Sequence, residues 1–173
     1  MNELIAKIEQ WAYDRNIIKG SKPIDQAMKL FSEFGELADN VGKGRDCRDD
    51  VGDVFVVLTI MTAQHKHSIS DHLASCGKGY DQKGEVIELC ENLVLFAGAK
   101  HLEYEKEQEA LSMAICLLES IALQNMSSLE ECIQIAYDDI KNRKGIMSNG
   151  VFIKESDPAY ESIIKAIEVN CGE

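Results

Sequence analysis

Pro23 and Pro158 are the only prolines in the chain, and they stand near its two ends. Proline breaks a helix interior, because it removes a donor and clashes with the preceding turn. The long stretch between them is therefore free to run as helix, and its apolar residues follow helical spacing. Residues 2–18 place Leu4, Ile5, Ile8, Trp11 and Ala12 on one face, and Gly20 ends that helix. Ser21 reads as the cap of a second helix, with Pro23 in its first turn, running to about Asn40. VGKGRD (41–46) is a turn. A third helix covers about 47–66 through the apolar run VFVVLTIM. The β-branched residues of that run also suit a strand, but its length and its polar-to-apolar pattern favour helix.

Residues 67–82 form a looser connector, with a helical turn expected over 70–76. Helices are expected over 84–101 and 104–124, broken near His101–Glu103. Ser127 or Ser128 caps a further helix to about Asn142, with Glu130 and Glu131 in its first turn. Ser148-Asn149-Gly150 is a turn signal, and two short extended segments flank it. A last helix starts at Asp157-Pro158 and runs to about Val169. The expected fold is thus an all-α helical bundle with a hairpin-like tail near 146–154.

A shift of about 58–60 residues sets KLFSEFGELADNVGK (29–43) beside IELCENLVLFAGAKH (87–101), and 62–73 beside 122–133. This is either a faded internal repeat or two unrelated amphipathic hairpins. In the repeat reading, Glu33 matches Glu91, Glu36 matches Val94, Asp50 matches Ala110 and Asp53 matches Met113. One half then keeps the acids and the other supplies core.

The chain has 173 residues, 45% of them hydrophobic, which suits one domain with its own core. Its net charge of -12 argues against nonspecific nucleic-acid binding and fits a protein that holds cations. Six scattered cysteines lack CxxC spacing and read as free thiols in a reducing cytosol. The start, MNELIAKIEQW, is amphipathic and acidic rather than a signal peptide. No apolar run approaches the ~20 residues of a membrane span. A cytoplasmic protein without membrane or nucleic-acid partners is expected.

Gln26, Lys29, Glu33 and Glu36 follow spacings of three, four and three, so they share one helical stripe. Asp50 and Asp53 repeat the i,i+3 acidic pair on the next helix. A short turn makes the two helices neighbours, and four carboxylates can converge in one cleft. Such a cluster is unfavourable unless a cation fills it. Oxygen-only ligands suit Mg²⁺, with Mn²⁺ able to substitute, and Mg²⁺ tends to bridge carboxylates and phosphates. Solvated acidic helix faces are the competing reading. Gly35 and Gly52 count against it, since glycine inside a helix costs ~1 kcal/mol unless packing or a ligand needs the space.

QAMKLFSEFGELADNVGKGRDCRDDVGDVFVVLTIMTAQ (26–64) resembles the core of the MazG-like, all-α nucleoside triphosphate pyrophosphohydrolases. WAYDRNIIKGS (11–21) and IAYDDIKNRKGIMSNGVFIKE (135–155) resemble phage-encoded members. The likeness covers about 1–70 and 126–155, and 71–125 reads as a helical hairpin inserted in a single domain. Two departures stand out: Ser32 where the family often has glutamate, and Asp50 where it usually has glutamate.

The resemblance implies hydrolysis of a nucleoside triphosphate to monophosphate and pyrophosphate, by water attack on the α-phosphorus. Glu33, Glu36, Asp50 and Asp53 are the implied Mg²⁺ ligands, and Glu36 is the choice for orienting the water. Lys29, Lys141, Arg143 and Lys144 are candidate phosphate contacts, Gln26 shares the substrate stripe, and Trp11 is either a base-stacking residue or core. The GVFIKE hairpin either closes over substrate or meets a partner subunit. Related proteins form dimers or dimer pairs, so a homo-oligomer is expected. Candidate substrates are dGTP or GTP, with dUTP or non-standard nucleotides as alternatives. The rival class is a non-enzymatic helical interaction protein. His65 and His67 read as surface residues, and EYEKEQE (103–109) as a solvated face.

Overall fold

The structure is a computed structural model that describes residues 1–74, 76–98 and 104–170. The order is α1 (Asn2–Asp14), α2 (Ile17–Gly20), α3 (Pro23–Lys43), α4 (Arg48–Gln64), a 3-10 turn (Ile69–His72), α5 (Gln82–Ala97), α6 (Tyr104–Gln124), α7 (Leu129–Ile140), β1 (Gly145–Ser148), β2 (Val151–Lys154) and α8 (Tyr160–Asn170). The all-α bundle with a short hairpin is the observed architecture. No single helix among the described residues is long and apolar enough to cross a membrane.

α4 is the central post. It is buried on nearly every side from Asp50 to Thr62, as a helix that is apolar all round must be. It packs on α3 and α7 most extensively, and on α1, α2 and α6. Its two buried threonines donate back to Phe55 O (2.9 Å) and Leu58 O (2.8 Å), so helix persists through the β-branched run without orphaned hydroxyls. Gly52 is required here. A Cβ at that position would run into the Cys132 carbonyl and sit 2.8 Å from Ala136 Cβ on α7. Gly35 is different, because a Cβ there would meet nothing within 4 Å. Close packing inside the chain therefore explains one glycine and not the other.

Several boundaries differ from the sequence reading. The first helix stops at Asp14, because Asn16 takes a left-handed conformation (φ 55°) and starts the separate turn α2. Ser21 does not cap α3. Its hydroxyl donates to Ile17 O, and the Asp25 carboxylate accepts from the Lys22 N–H at 2.7 Å instead. The expected turn near 70–76 is the 3-10 turn at 69–72, and the break near His101–Glu103 lies outside the described residues. Ser128 is the cap of α7, accepting from the Glu131 N–H at 3.2 Å while Glu131 accepts from the Ser128 N–H at 2.9 Å.

β1 and β2 pair antiparallel, Ser148 opposite Val151 and Gly145 opposite Lys154. Asn149 (φ 50°) and Gly150 (φ 79°) supply the two left-handed residues that a tight two-residue hairpin needs. The hairpin is docked by main-chain bonds from Met147 N to Arg15 O (2.8 Å) and Gly150 N to Gly20 O (2.9 Å).

One buried hydrophobic cluster runs through α1 to α7, and α5 and α6 contribute to it alongside the acid-bearing helices. The cysteines are not all free. Cys76 and Cys116 are disulfide-bonded and tie the 73–81 connector to α6, whereas Cys47, Cys90 and Cys132 are free thiols. The sequence carried no sign of that pair, since its members lie 40 residues apart. The acidic run at 103–109 is not wholly a solvated face. Glu107 turns inward and bonds His65 Nδ1 at 2.9 Å, which also makes His65 more than a surface residue.

Candidate active site

The stripe on α3 and the first turns of α4 meet the β-hairpin around a cavity of about 630 Å³. That is within the usual range for sites that take small-molecule ligands. Gln26, Lys29 and Glu33 form one wall from α3, and Asp53, Val56, Val57 and Ile60 continue it from α4. Trp11 and Ile17 close the apolar end. Arg143, Lys144, Met147, Phe152 and Lys154 also line the cavity.

Each polar group reaches the cavity for a local reason. Glu33 lies on the buried side of α3 and is only 6% exposed, yet it is ion-paired with Lys29 one turn earlier. Gln26 is also buried and donates to Ser21 Oγ at 2.9 Å, which fixes its side chain. Asp53 is partly buried on α4, and its carboxyl is pushed up to about 7. Burial is the main cause, and the Glu33 and Asp49 charges add to it. Lys29 and Arg143 oppose it without cancelling it.

Asp50 lies deeper, away from the cavity wall, and accepts from Asn40 Nδ2 at 2.8 Å. Its carboxyl is raised by burial and by Asp49, Glu36 and Glu33, while the Asn40 bond lowers it. Glu36 is exposed and does not line the cavity, but it is near enough to act on Asp50. The four acids therefore form one electrostatic neighbourhood, with two of them on the cavity. Among the described residues no three carboxylate, imidazole or thiolate side chains already stand close enough together to hold an ion. The donor set is hard oxygen only and of like charge, which fits a divalent cation better than any soft metal.

The basic tail divides. Arg143 and Lys144 line the cavity. Arg143 also pairs with Asp139, and Lys144 pairs with Glu155 at 3.3 Å. Lys141 points elsewhere and pairs with Asp138 at 2.5 Å. Trp11 is half-buried against the core and lines the cavity. Arg15 lies over its ring at 5.0 Å from the centroid, and its indole Nε1 is buried without a partner.

Sequence reasoning missed Lys154, Phe152, Asp25 and Asp49. The first two stand two apart on β2 and so share a face, a strand periodicity that short segment did carry. Asp25 could not be assigned because its role depends on the fold. It caps α3 and also lies against Gly150, where a Cβ would sit 2.7 Å from its carboxylate. Asp49 was hidden by its neighbour Asp50. Its carboxyl is raised chiefly by burial and then by Asp139, with Arg143 opposing.

The chain is 45% identical over 67 residues to a protein of Haemophilus phage HP1 (strain HP1c1) described as an uncharacterized 18.2 kDa protein in the rep-hol intergenic region. The match covers 38% of this chain and 41% of the phage protein, so it spans about two fifths of that relative's length. No family model matches the chain, and no solved structure matches it.

Proposed function

We propose that the chain is a nucleoside triphosphate pyrophosphohydrolase of the MazG-like kind, splitting a triphosphate into monophosphate and pyrophosphate with Mg²⁺ or Mn²⁺. The observation that carries this reading is the cavity itself. It is lined by two inward carboxylates, Glu33 and Asp53, together with Arg143, Lys144 and Lys154 and the ring of Trp11.

Glu33 and Asp53 would hold the divalent ion, with Asp49, Asp50 and Glu36 supplying further negative charge. When bound, the ion neutralises phosphate oxygens and stabilises the charge that develops as the α-phosphorus is attacked. Lys29 is ion-paired with Glu33, and with an ion held by Glu33 it would be free to contact phosphate. Arg143, Lys144 and Lys154 hold the remaining phosphate charge. Trp11 gives the base a flat apolar surface. Glu36 is the acid of the four that solvent reaches most freely, and it keeps the role of orienting the attacking water.

The test is pyrophosphate release from a panel of triphosphates, led by dGTP and GTP and including dUTP and non-standard bases, with and without Mg²⁺ or Mn²⁺. Monophosphate and pyrophosphate in equal amounts, only with metal, are expected. No turnover of any member leaves the rival reading, a helical interaction protein whose acids serve solubility.

A further inference from the structure

Trp11 lies in α1 and Arg15 is the C-cap of that helix, four residues on, so the two share one face. The Arg15 guanidinium sits over the Trp11 ring, 5.0 Å from its centroid. Each of its three nitrogens donates to a main-chain carbonyl. Nη1 returns to Trp11 O at 3.3 Å. Nε reaches Arg143 O at 2.7 Å, and Nη2 reaches Lys141 O at 3.2 Å. Lys141 is the C-cap of α7, and a carbonyl there has no partner within its own helix. α7 carries no basic residue in its last turn, so a cation from α1 answers the negative end of its dipole. The main chain of Arg15 completes the junction, because its carbonyl accepts from Met147 N at 2.8 Å and docks β1.

Arg15 does not itself line the cavity, yet it joins two parts that do. One is the Trp11 ring. Its Nε1 is buried without a partner, so no hydrogen bond of the indole sets its tilt. The other is the turn after α7, which carries Arg143 and Lys144 to the cavity. We propose that Arg15 is the positioning residue of this site. It locks the aromatic surface of α1 to the cationic turn after α7, so the spacing between a stacked ring and bound phosphates is set before a ligand arrives. Lysine cannot take its place, since a single ammonium neither forks to three carbonyls nor stacks as a plane on an indole. The joint bypasses the acids of α3 and α4, because its bonds all go to α1, the turn after α7 and β1.

The joint is read in the free chain, and only its effect on turnover rests on the hydrolase reading. In amide hydrogen exchange of the full chain, Arg15→Lys should speed residues 141–148 by about ten-fold or more, as loss of charge-assisted hydrogen bonds does, with α5 and α6 unchanged. Trp11→Ala should speed the same residues from the other side of the joint. Trp11→Phe keeps a ring under the guanidinium and should stay within about three-fold of wild type. Unchanged exchange at 141–148 in Arg15→Lys or in Trp11→Ala overturns the proposal. So does equal speeding of α5 and α6 by Arg15→Lys, which would mean general loosening. In turnover, Arg15→Lys should raise KM by about ten-fold with kcat within about three-fold, because phosphate contacts are misplaced while the acids are intact. A merely structural role would lower kcat at unchanged KM by shrinking the active fraction, and that result also overturns the proposal. A wild-type chain that cleaves no triphosphate rejects the hydrolase reading instead, and the exchange measurement then decides the joint alone.

Discussion

The α3–α4 and α5–α6 hairpins share an architecture and differ in what they do with their acids. Both bury an apolar inner face in the same cluster. In the second hairpin the inward acids each meet a neutral donor or a ring nitrogen. Glu119 accepts from Cys76 N at 2.7 Å, Glu85 from Gln124 Nε2 at 2.7 Å, and Glu107 bonds His65. These bonds tie α6 to the connector, to α5 and to the end of α4. In the first hairpin the acids lie close to one another, Glu33 and Asp53 line a cavity, and the Asp53 carboxyl is held up to about 7. The positions offset from Asp50 and Asp53 in the second hairpin are Ala110, buried, and Met113, exposed. A satisfied inward acid supports structure. In the first hairpin the carboxyls of Asp49, Asp50 and Asp53 are raised by burial and by neighbouring carboxylates, the electrostatic setting in which the proposed cation would be stabilised.

The contrast breaks most visibly in turnover. Asp53→Asn or Glu33→Gln should lower kcat/KM by about a thousand-fold or more, as losing a group that stabilises transition-state charge does. Glu91→Gln, the exposed counterpart of Glu33 in the second hairpin, should stay within about two-fold. Equal losses would erase the distinction between the hairpins.

The next effect is on stability, from the same substitution in both hairpins. Gly52→Ala forces a methyl against the α7 backbone and should destabilise by about 1–3 kcal/mol in denaturant melts. Gly84→Ala, at the start of α5, meets only the movable Asp81 carboxylate at 2.6 Å and should change stability by less than about 1 kcal/mol.

The smallest effect is a pH slope. Asp53 keeps its proton up to about 7 when folded, against an ordinary value of 3.8. Between those values the folded chain binds a proton that the unfolded chain has lost, so rising pH weakens the ion-free fold across that window. Below the window both states are protonated, and the contribution is fully kept. Asp53→Asn should remove this component, making the variant gain on wild type as pH rises from about 4 to 7 in paired thermal melts. Parallel curves would show that Asp53 is not desolvated as described.

Much of this was legible in the residues. The helices announced themselves through period and through the absence of proline, and α4 kept its helix despite Val, Ile and Thr because burial on all sides overrides local propensity. The i,i+3 acid pairs lie close to one another, and Lys29, Glu33, Asp53 and Arg143 line one cavity. The sequence could not say which acid of each pair turns in. Asp50 and Asp53 share a stripe, but α3 takes Asp50 through Asn40 while Asp53 faces the hairpin. Asn16 was equally opaque, because a left-handed asparagine is set by the docking of β1, whose Met147 carbonyl accepts from its side chain at 3.0 Å. The Cys76–Cys116 bond depends wholly on how the connector returns to α6.

In the proposed reading, the acids of α3 and α4 on the cavity hold the cation a triphosphate needs. Its direct measurement is Mn²⁺ binding, followed by loss of the free-ion paramagnetic resonance signal, in the presence of a triphosphate analogue that cannot be cleaved between the α- and β-phosphates. The wild-type chain should bind the ion, and Asp53→Asn and Glu33→Gln should each weaken it by about ten-fold or more, with Glu91→Gln unchanged. Equal Mn²⁺ affinity in all four proteins would mean that Glu33 and Asp53 do not hold the ion.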